Sequence, residues 1–137
     1  MEIFVIGIIA ILHYLLSVQI DYMLTISVLG FKSELYVQYL LRPWIYHWTN
    51  RVLGIMLILS GLMNGANVVY TILIWFVIYL ASGKNGRIKA YARYREIMIE
   101  LQDLAENDEE RQDYKRYSEF SDKEIEEIAD RNMKFSQ

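Results

Sequence analysis

The chain of 137 residues has no cysteine, one proline and two histidines. Without cysteine there can be no disulfide scaffold and no thiolate metal site. With only His13 and His47, a histidine-based zinc site is not expected. Charge is scarce over the first 83 residues, which hold only Glu2, Asp21, Lys32, Glu34, Arg42 and Arg51. The remaining residues, 84–137, hold 14 acidic and 11 basic groups. Apolar runs as long as those of the first part exceed what one small soluble core buries. The catalytic patterns are missing too: there is no nucleophile elbow, phosphate loop or H-E-x-x-H sequence. No enzyme activity and no cofactor are therefore expected.

What is present reads as an all-α integral membrane protein. A transmembrane helical part is predicted over 1–83 and a charged cytoplasmic helical tail over 84–137. Residues 3–29 are long enough to cross a bilayer, which needs about 20 residues. The leading charge is Glu2, and no basic region or small-residue cleavage pattern marks a secretory signal. Retention as a span is expected. Residues 31–43 alternate tyrosine, leucine and single charges, as an interfacial connector does. Pro43 suits the first turn of a new helix. Trp44 and Trp48 follow as anchors at headgroup level.

Residues 52–82 are almost continuously apolar. As one helix they would measure roughly 46 Å at about 1.5 Å per residue, too long for a hydrocarbon core of about 30 Å without strong tilt. As two helices, 44–63 and 67–83, they are joined by a tight turn at Asn64-Gly65-Ala66-Asn67, made of turn-forming residues. Charge favours this second arrangement. With three spans and an outer N-terminus, Lys32, Arg42 and Arg51 fall on the inner side with Lys84, Arg87, Lys89, Arg93 and Arg95, as the positive-inside rule requires. Two spans remain the alternative.

Several intramembrane groups are candidates for a site. Counted from the inner boundary, Asp21 and Arg51 lie at similar depth. Intramembrane charges pair or face an interior cavity, so an Asp21–Arg51 contact is predicted, either fixing register or serving an ion path. His13 is expected to be hydrogen-bonded, to Asn64, Asn67 or a neighbouring chain. His13 and His47 differ in expected depth by roughly two turns, which argues against a shared haem. Gly61 and Gly65 satisfy the small-xxx-small pattern for close helix contact, as Gly7 and Ala10 do at a spacing of three, although Gly65 serves better in the turn.

In the tail, residues 84–95 are basic, with Arg87 and Lys89 as anchors to anionic headgroups. Tyr91, Tyr94, Met98, Leu101 and Ala105 recur at spacings of three and four, widened by Ile97 and Leu104, which predicts a helix over 87–105 with one packing stripe. Ser121 and Glu124 form a capping-box pattern, so a further helix is expected over about 122–134. Its Ile125, Ile128 and Ala129 face can fold back on the stripe as a helix hairpin. Disorder from charge density is the competing outcome. Beyond residue 95 there are 14 acidic and six basic groups, a poor match to nucleic acid.

Three functions follow as expectations. One is a non-enzymatic component of an oligomeric membrane assembly, a homo-oligomer whose tail (residues 96–137) contacts a cytosolic protein. In topology the chain also resembles class I phage holins, with three spans, an outer N-terminus and a charged inner C-terminus. That resemblance rests on organisation rather than a motif, and the long acidic tail departs from it. It implies a pore-former permeabilising the inner membrane, the action also of defence-system effectors. The third is an ion- or proton-conducting subunit using Asp21, His13 and Arg51. Abundant Ile, Tyr, Lys and Asn point to an AT-rich bacterial or phage genome, hence to the inner membrane.

Overall fold

The protein is described from a computed structural model, over residues 2–31, 42–65 and 67–135. Among these residues there are five helices and no strand: α1 (Glu2–Val28), α2 (Pro43–Met63), α3 (Val68–Leu104), α4 (Asp108–Ser118) and α5 (Asp122–Phe135). Two of them, Phe4–Val28 of α1 and Val68–Leu104, are long and apolar enough to cross a membrane. Of the predicted connector over 31–43, residues 32–41 lie outside the described residues, and Pro43 opens α2.

The 52–82 stretch is broken into two helices, and local chemistry explains the break. Gly65 has φ +76°, a left-handed conformation that side chains with a Cβ resist. Asn64 Nδ2 donates to the Ser60 carbonyl at 2.7 Å. Asn67 Oδ1 accepts from Val69 N at 2.9 Å and caps α3. The two asparagines thus satisfy backbone ends at the turn. Gly61 meets the next helix at once: a Cβ there would lie 2.8 Å from Thr71 Cγ2.

α3 departs from the expected organisation. It runs unbroken for 37 residues, about 55 Å at 1.5 Å per residue. The boundary placed at 83/84 falls inside it, across the turn-like residues Ser82-Gly83-Lys84-Asn85-Gly86. The glycines serve packing here. A Cβ on Gly86 would lie 2.7 Å from the Val18 carbonyl oxygen, 2.7 Å from Asp21 Cβ and 3.0 Å from Tyr22 N. α1 and α3 therefore touch backbone to backbone, and among the described residues this pair of helices makes the most extensive contact. Asn85 Nδ2 donates to the Tyr14 hydroxyl across the same seam. Gly7, by contrast, has nothing within 4 Å of its Cβ position and makes no close helix contact.

Beyond the seam, α1 ends in a Schellman pattern. Gly30 has φ +96°, and Phe31 N donates to the Ile26 carbonyl at 3.1 Å. A core then gathers Ile26 of α1 and Leu29 just past its end, Ala90, Tyr91, Tyr94 and Met98 of α3, and Ile125 and Ala129 of α5. Ile97 and Leu101 pack at its edge, whereas Leu104 is 74% exposed and does not widen the stripe. Phe31 meets Tyr94 edge to face at 5.9 Å. Asn132 Nδ2 donates to the Val28 carbonyl at 2.9 Å, so α5 satisfies one of the free carbonyls at the end of α1.

α4 buries no residue completely. It is held by Gln102 Nε2 donating to Ser118 Oγ at 3.1 Å and by the partly buried Tyr114. Acidic residues begin it and Lys115 and Arg116 end it, in the sense that favours the helix dipole. Arg95 Nε donates to the Phe120 carbonyl at 2.8 Å, and the guanidinium also pairs with Asp122. The expected capping box closes α5: Ser121 N donates to Glu124 Oε2 at 2.8 Å and Ser121 Oγ donates to the same oxygen at 2.7 Å.

Two predictions follow. Gly86→Val forces backbone apart and should cost about 1–3 kcal/mol of thermal stability in detergent, as overpacking does, while Gly7→Ala should be close to neutral. The Ser121 bonds hold the Glu124 carboxyl below the usual glutamate range. A lowered pKa means stabilisation that is full above the ordinary glutamate value and is lost as pH falls through the lowered one. Acidification should therefore loosen the start of α5, and Ser121→Ala should move the Glu124 titration up, as read by NMR.

Candidate functional site

One face of α2 carries His47, Asn50, Arg51 and Gly54, at helical spacing on an otherwise apolar helix. These residues, with Ile55 and Ile58, form one wall of a half-open cavity of about 510 Å³. α1 contributes His13, and α3 contributes Trp75 and Tyr79. The rings of Trp75 and Tyr79 stack at 5.9 Å.

His13 is only 2% exposed and Ser17, one turn on, 3%. Both reach Asn50. His13 Nδ1 lies 2.8 Å from Asn50 Oδ1, and Ser17 Oγ donates to the same oxygen at 3.1 Å. An amide oxygen only accepts, so Nδ1 carries the proton. In the neutral ring Nε2 then keeps a lone pair. That nitrogen is buried and without a hydrogen-bond partner, and so is Trp75 Nε1, which can only donate. Gly54 brings the two together. A Cβ at residue 54 would lie 2.8 Å from Trp75 Nε1 and 3.6 Å from His13 Nε2. One acceptor and one donor thus converge beside a helix surface that has no side chain. A buried polar atom left unpaired costs about 1–3 kcal/mol.

The expected partners of His13 are corrected. Asn64 and Asn67 cap the far turn, while His13 packs against the 50–54 segment, so Asn50 is its partner. His13 and His47 also line the same cavity, although helix-rise counting separates them by two turns. The predicted Asp21–Arg51 contact is not formed either. Asp21 faces α3, its Oδ2 3.5 Å from a Cβ position on Gly83, and it shares a cavity of about 240 Å³ with Arg87, Glu126 and Asp130. Arg51 lies on the other cavity, its guanidinium 5.9 Å from the Trp48 ring centre. Counting turns gives depth but not the side of the helix, and depth alone suggested the pair.

The remaining predicted residues are placed as follows. Trp44 and Trp48 are exposed. Arg87 approaches Glu126 of α5 at 3.9 Å, and Lys89 Nζ lies 4.9 Å from the centre of the Tyr22 ring. Both basic residues therefore engage protein groups. Tyr91, Tyr94 and Met98 are buried in the α1–α3–α5 core and Leu101 flanks it.

Sequence reasoning missed Asn50, Gly54 and Trp75. The i, i+3, i+4, i+7 spacing of His47, Asn50, Arg51 and Gly54 was the signal for the α2 face, whereas nothing local marks Trp75. Among the described residues no group of three or more His, Asp or Glu could hold a metal ion. No family model, curated protein or solved structure matches the chain.

Asn50→Ala removes the shared acceptor and leaves His13 and Ser17 unpaired. It should cost about 1–3 kcal/mol in thermal unfolding. Ser17→Ala keeps the Asn50–His13 bond and should cost under about 1 kcal/mol by the same measurement.

Proposed function

We propose that this chain is a polytopic integral membrane protein, a non-enzymatic component of an oligomeric assembly that holds a helical head at the inner face of the membrane. The observation that carries the reading is the continuity of α3. Its first half exposes Val68, Val69, Ile72, Leu73, Phe76, Val77 and Leu80, as a lipid-facing helix does. Its second half carries Tyr91, Tyr94 and Met98 into the core shared with α5. One rigid element thus belongs to both environments.

α2 is the third span in this reading. It is too polar to pass on composition alone, because of His47, Asn50 and Arg51. Those groups line the cavity between helices, while Val52, Met56 and Leu59 remain exposed. The turn at Asn64–Asn67 makes α2 antiparallel to α3. Arg42 then shares a side with Lys84, Arg87 and Lys89, which sets the N-terminus outside by the positive-inside rule. Polar groups that three helices shield incompletely favour association with further helices. The exposed charged face of α4 is the surface offered to a cytosolic partner. An ion path through Asp21, His13 and Arg51 is less well supported, because these residues lie on two different cavities.

Cysteine labelling in intact cells tests this arrangement against a clean background. Asn64→Cys should react with an impermeant maleimide from outside. Lys123→Cys should react only after the cells are opened. Reaction of both from the same side would overturn the three-span arrangement. Native mass spectrometry after mild solubilisation should give a mass of several chains; a monomer throughout would overturn the assembly.

A further inference from the structure

We infer that the cavity between α1, α2 and α3 is a site for a phospholipid of net negative charge, with its phosphate on Arg51 and the Asn50 amide and one acyl chain along the apolar wall beyond.

The charge of the cavity selects the head. Arg51 is the one lining residue that is always charged, and no aspartate or glutamate lines the cavity with it. Its side chain is exposed. Among the described residues it makes no hydrogen bond or ion pair, and its contact is the Trp48 ring, 5.9 Å from the guanidinium. A guanidinium within a span calls for an anion, and it grips phosphate with two parallel N–H groups. Asn50 stands next to it. The Asn50 oxygen is taken by His13 and Ser17, which leaves the protons of Nδ2. These have no acceptor among the described residues, and Nδ2, unlike His13 Nε2 and Trp75 Nε1, is not buried. Both groups only donate, so the head that answers them carries acceptors and negative charge. Phosphate is the anion that the bilayer itself supplies. The ammonium of a zwitterionic head would find no carboxylate on these walls, which favours a head of net negative charge.

The position of the cavity suits a lipid. Helical side chains tilt towards the N-terminal end of their helix, and Arg51 accordingly reaches back to Trp48. Asn50 is tied to His13 and Ser17, while Gly86 meets α1 at Val18 and Asp21. Arg51 therefore stands within about two helical turns of the stretch of α3 that holds Lys84 and Arg87. Lipid headgroups lie at such a boundary and bind in basic pockets between helices. In the other direction the wall turns apolar. Ile55 and Ile58 follow about 6 and 11 Å along α2 and share the cavity with the stacked rings of Trp75 and Tyr79. The charged end and the apolar end thus have the order of a lipid in the inner leaflet. The volume of about 510 Å³ lies within the roughly 300–1,000 Å³ usual for small-molecule sites, and the open side leaves the second chain in the bilayer. The inference rests on the membrane placement proposed above.

The test uses the full chain with Trp44→Phe and Trp48→Phe, which leaves Trp75, on the cavity wall, as the one tryptophan. Phenylalanine at 48 keeps a ring beside Arg51. The protein is placed in phosphatidylcholine vesicles, and phosphatidylglycerol or phosphatidylcholine with dibrominated chains is titrated in as a quencher of Trp75 fluorescence. Brominated phosphatidylglycerol should quench saturably, half-complete at a mole fraction about tenfold lower than brominated phosphatidylcholine needs, the size of one hydrogen bond to a charged group. Arg51→Gln should remove this preference and Arg51→Lys should keep part of it. Should Arg51→Gln fail to fold, Arg42→Gln combined with Lys84→Gln decides. These exposed residues do not line the cavity, so the preference should survive their loss. Equal quenching by the two lipids, a preference that persists in Arg51→Gln, or one that vanishes with Arg42 and Lys84 would mean lipid gathered at the surface and would overturn the site. No quenching by either lipid would overturn the membrane placement, and the site with it.

Discussion

The close approach of α1 and α3 at Gly86 is the constraint on which the rest of the molecule depends. With 2.7 Å between its Cβ position and the Val18 carbonyl oxygen, the two helices can meet there only if that Cβ is missing. This contact fixes their relative height and rotation. From it, Ile26 and Leu29 are brought level with Tyr91 and Tyr94. α5 then closes the core with Ile125, which is fully buried. The head is therefore assembled on a template that the packing of the first and third helices has already set.

The other end of the bundle is organised by a different force. Its outer surface is apolar and exposed on every helix, so its internal order comes from polar contacts and close packing. His13, Ser17 and Asn50 tie α1 to α2, and Gly54 and Gly61 bring α2 against Trp75 and Thr71 of α3. In a setting without water such bonds lack competition, although their measured worth in membranes is modest, about 0.6 kcal/mol on average. The two unpartnered atoms beside Gly54 are the exception to this economy of polar groups.

Much of the helix plan was legible in the sequence, and for identifiable reasons. Asn64-Gly65 signalled a turn through residue types whose conformational freedom or side-chain bonding is local. Ser121 and Glu124 signalled a helix start for the same reason, and the Tyr91–Met98 stripe signalled a packed face through its period. The boundary at 83/84 followed the change from apolar to charged residues, which marks a change of surroundings and not a break in the helix. Gly83 and Gly86 show their role only against α1, whose backbone Gly86 meets. The site was less legible. Asp21 and Arg51 matched in depth, but depth is one coordinate of three, and their helix faces diverge. Asn50 was hidden by its ordinary look beside Arg51, and Trp75 by an apolar run in which its indole N–H resembles any interfacial tryptophan.

The central claim is that head and bundle form one unit because α3 passes unbroken between them. Hydrogen exchange of the full chain in lipid nanodiscs, read over residues 83–92, tests it most directly. An unbroken helix packed on α1 requires these amides to exchange as slowly as the rest of the α3 core, with opening only in large cooperative steps. Fast exchange confined to residues 83–87, with slow exchange on both sides, would reveal a hinge and contradict the account.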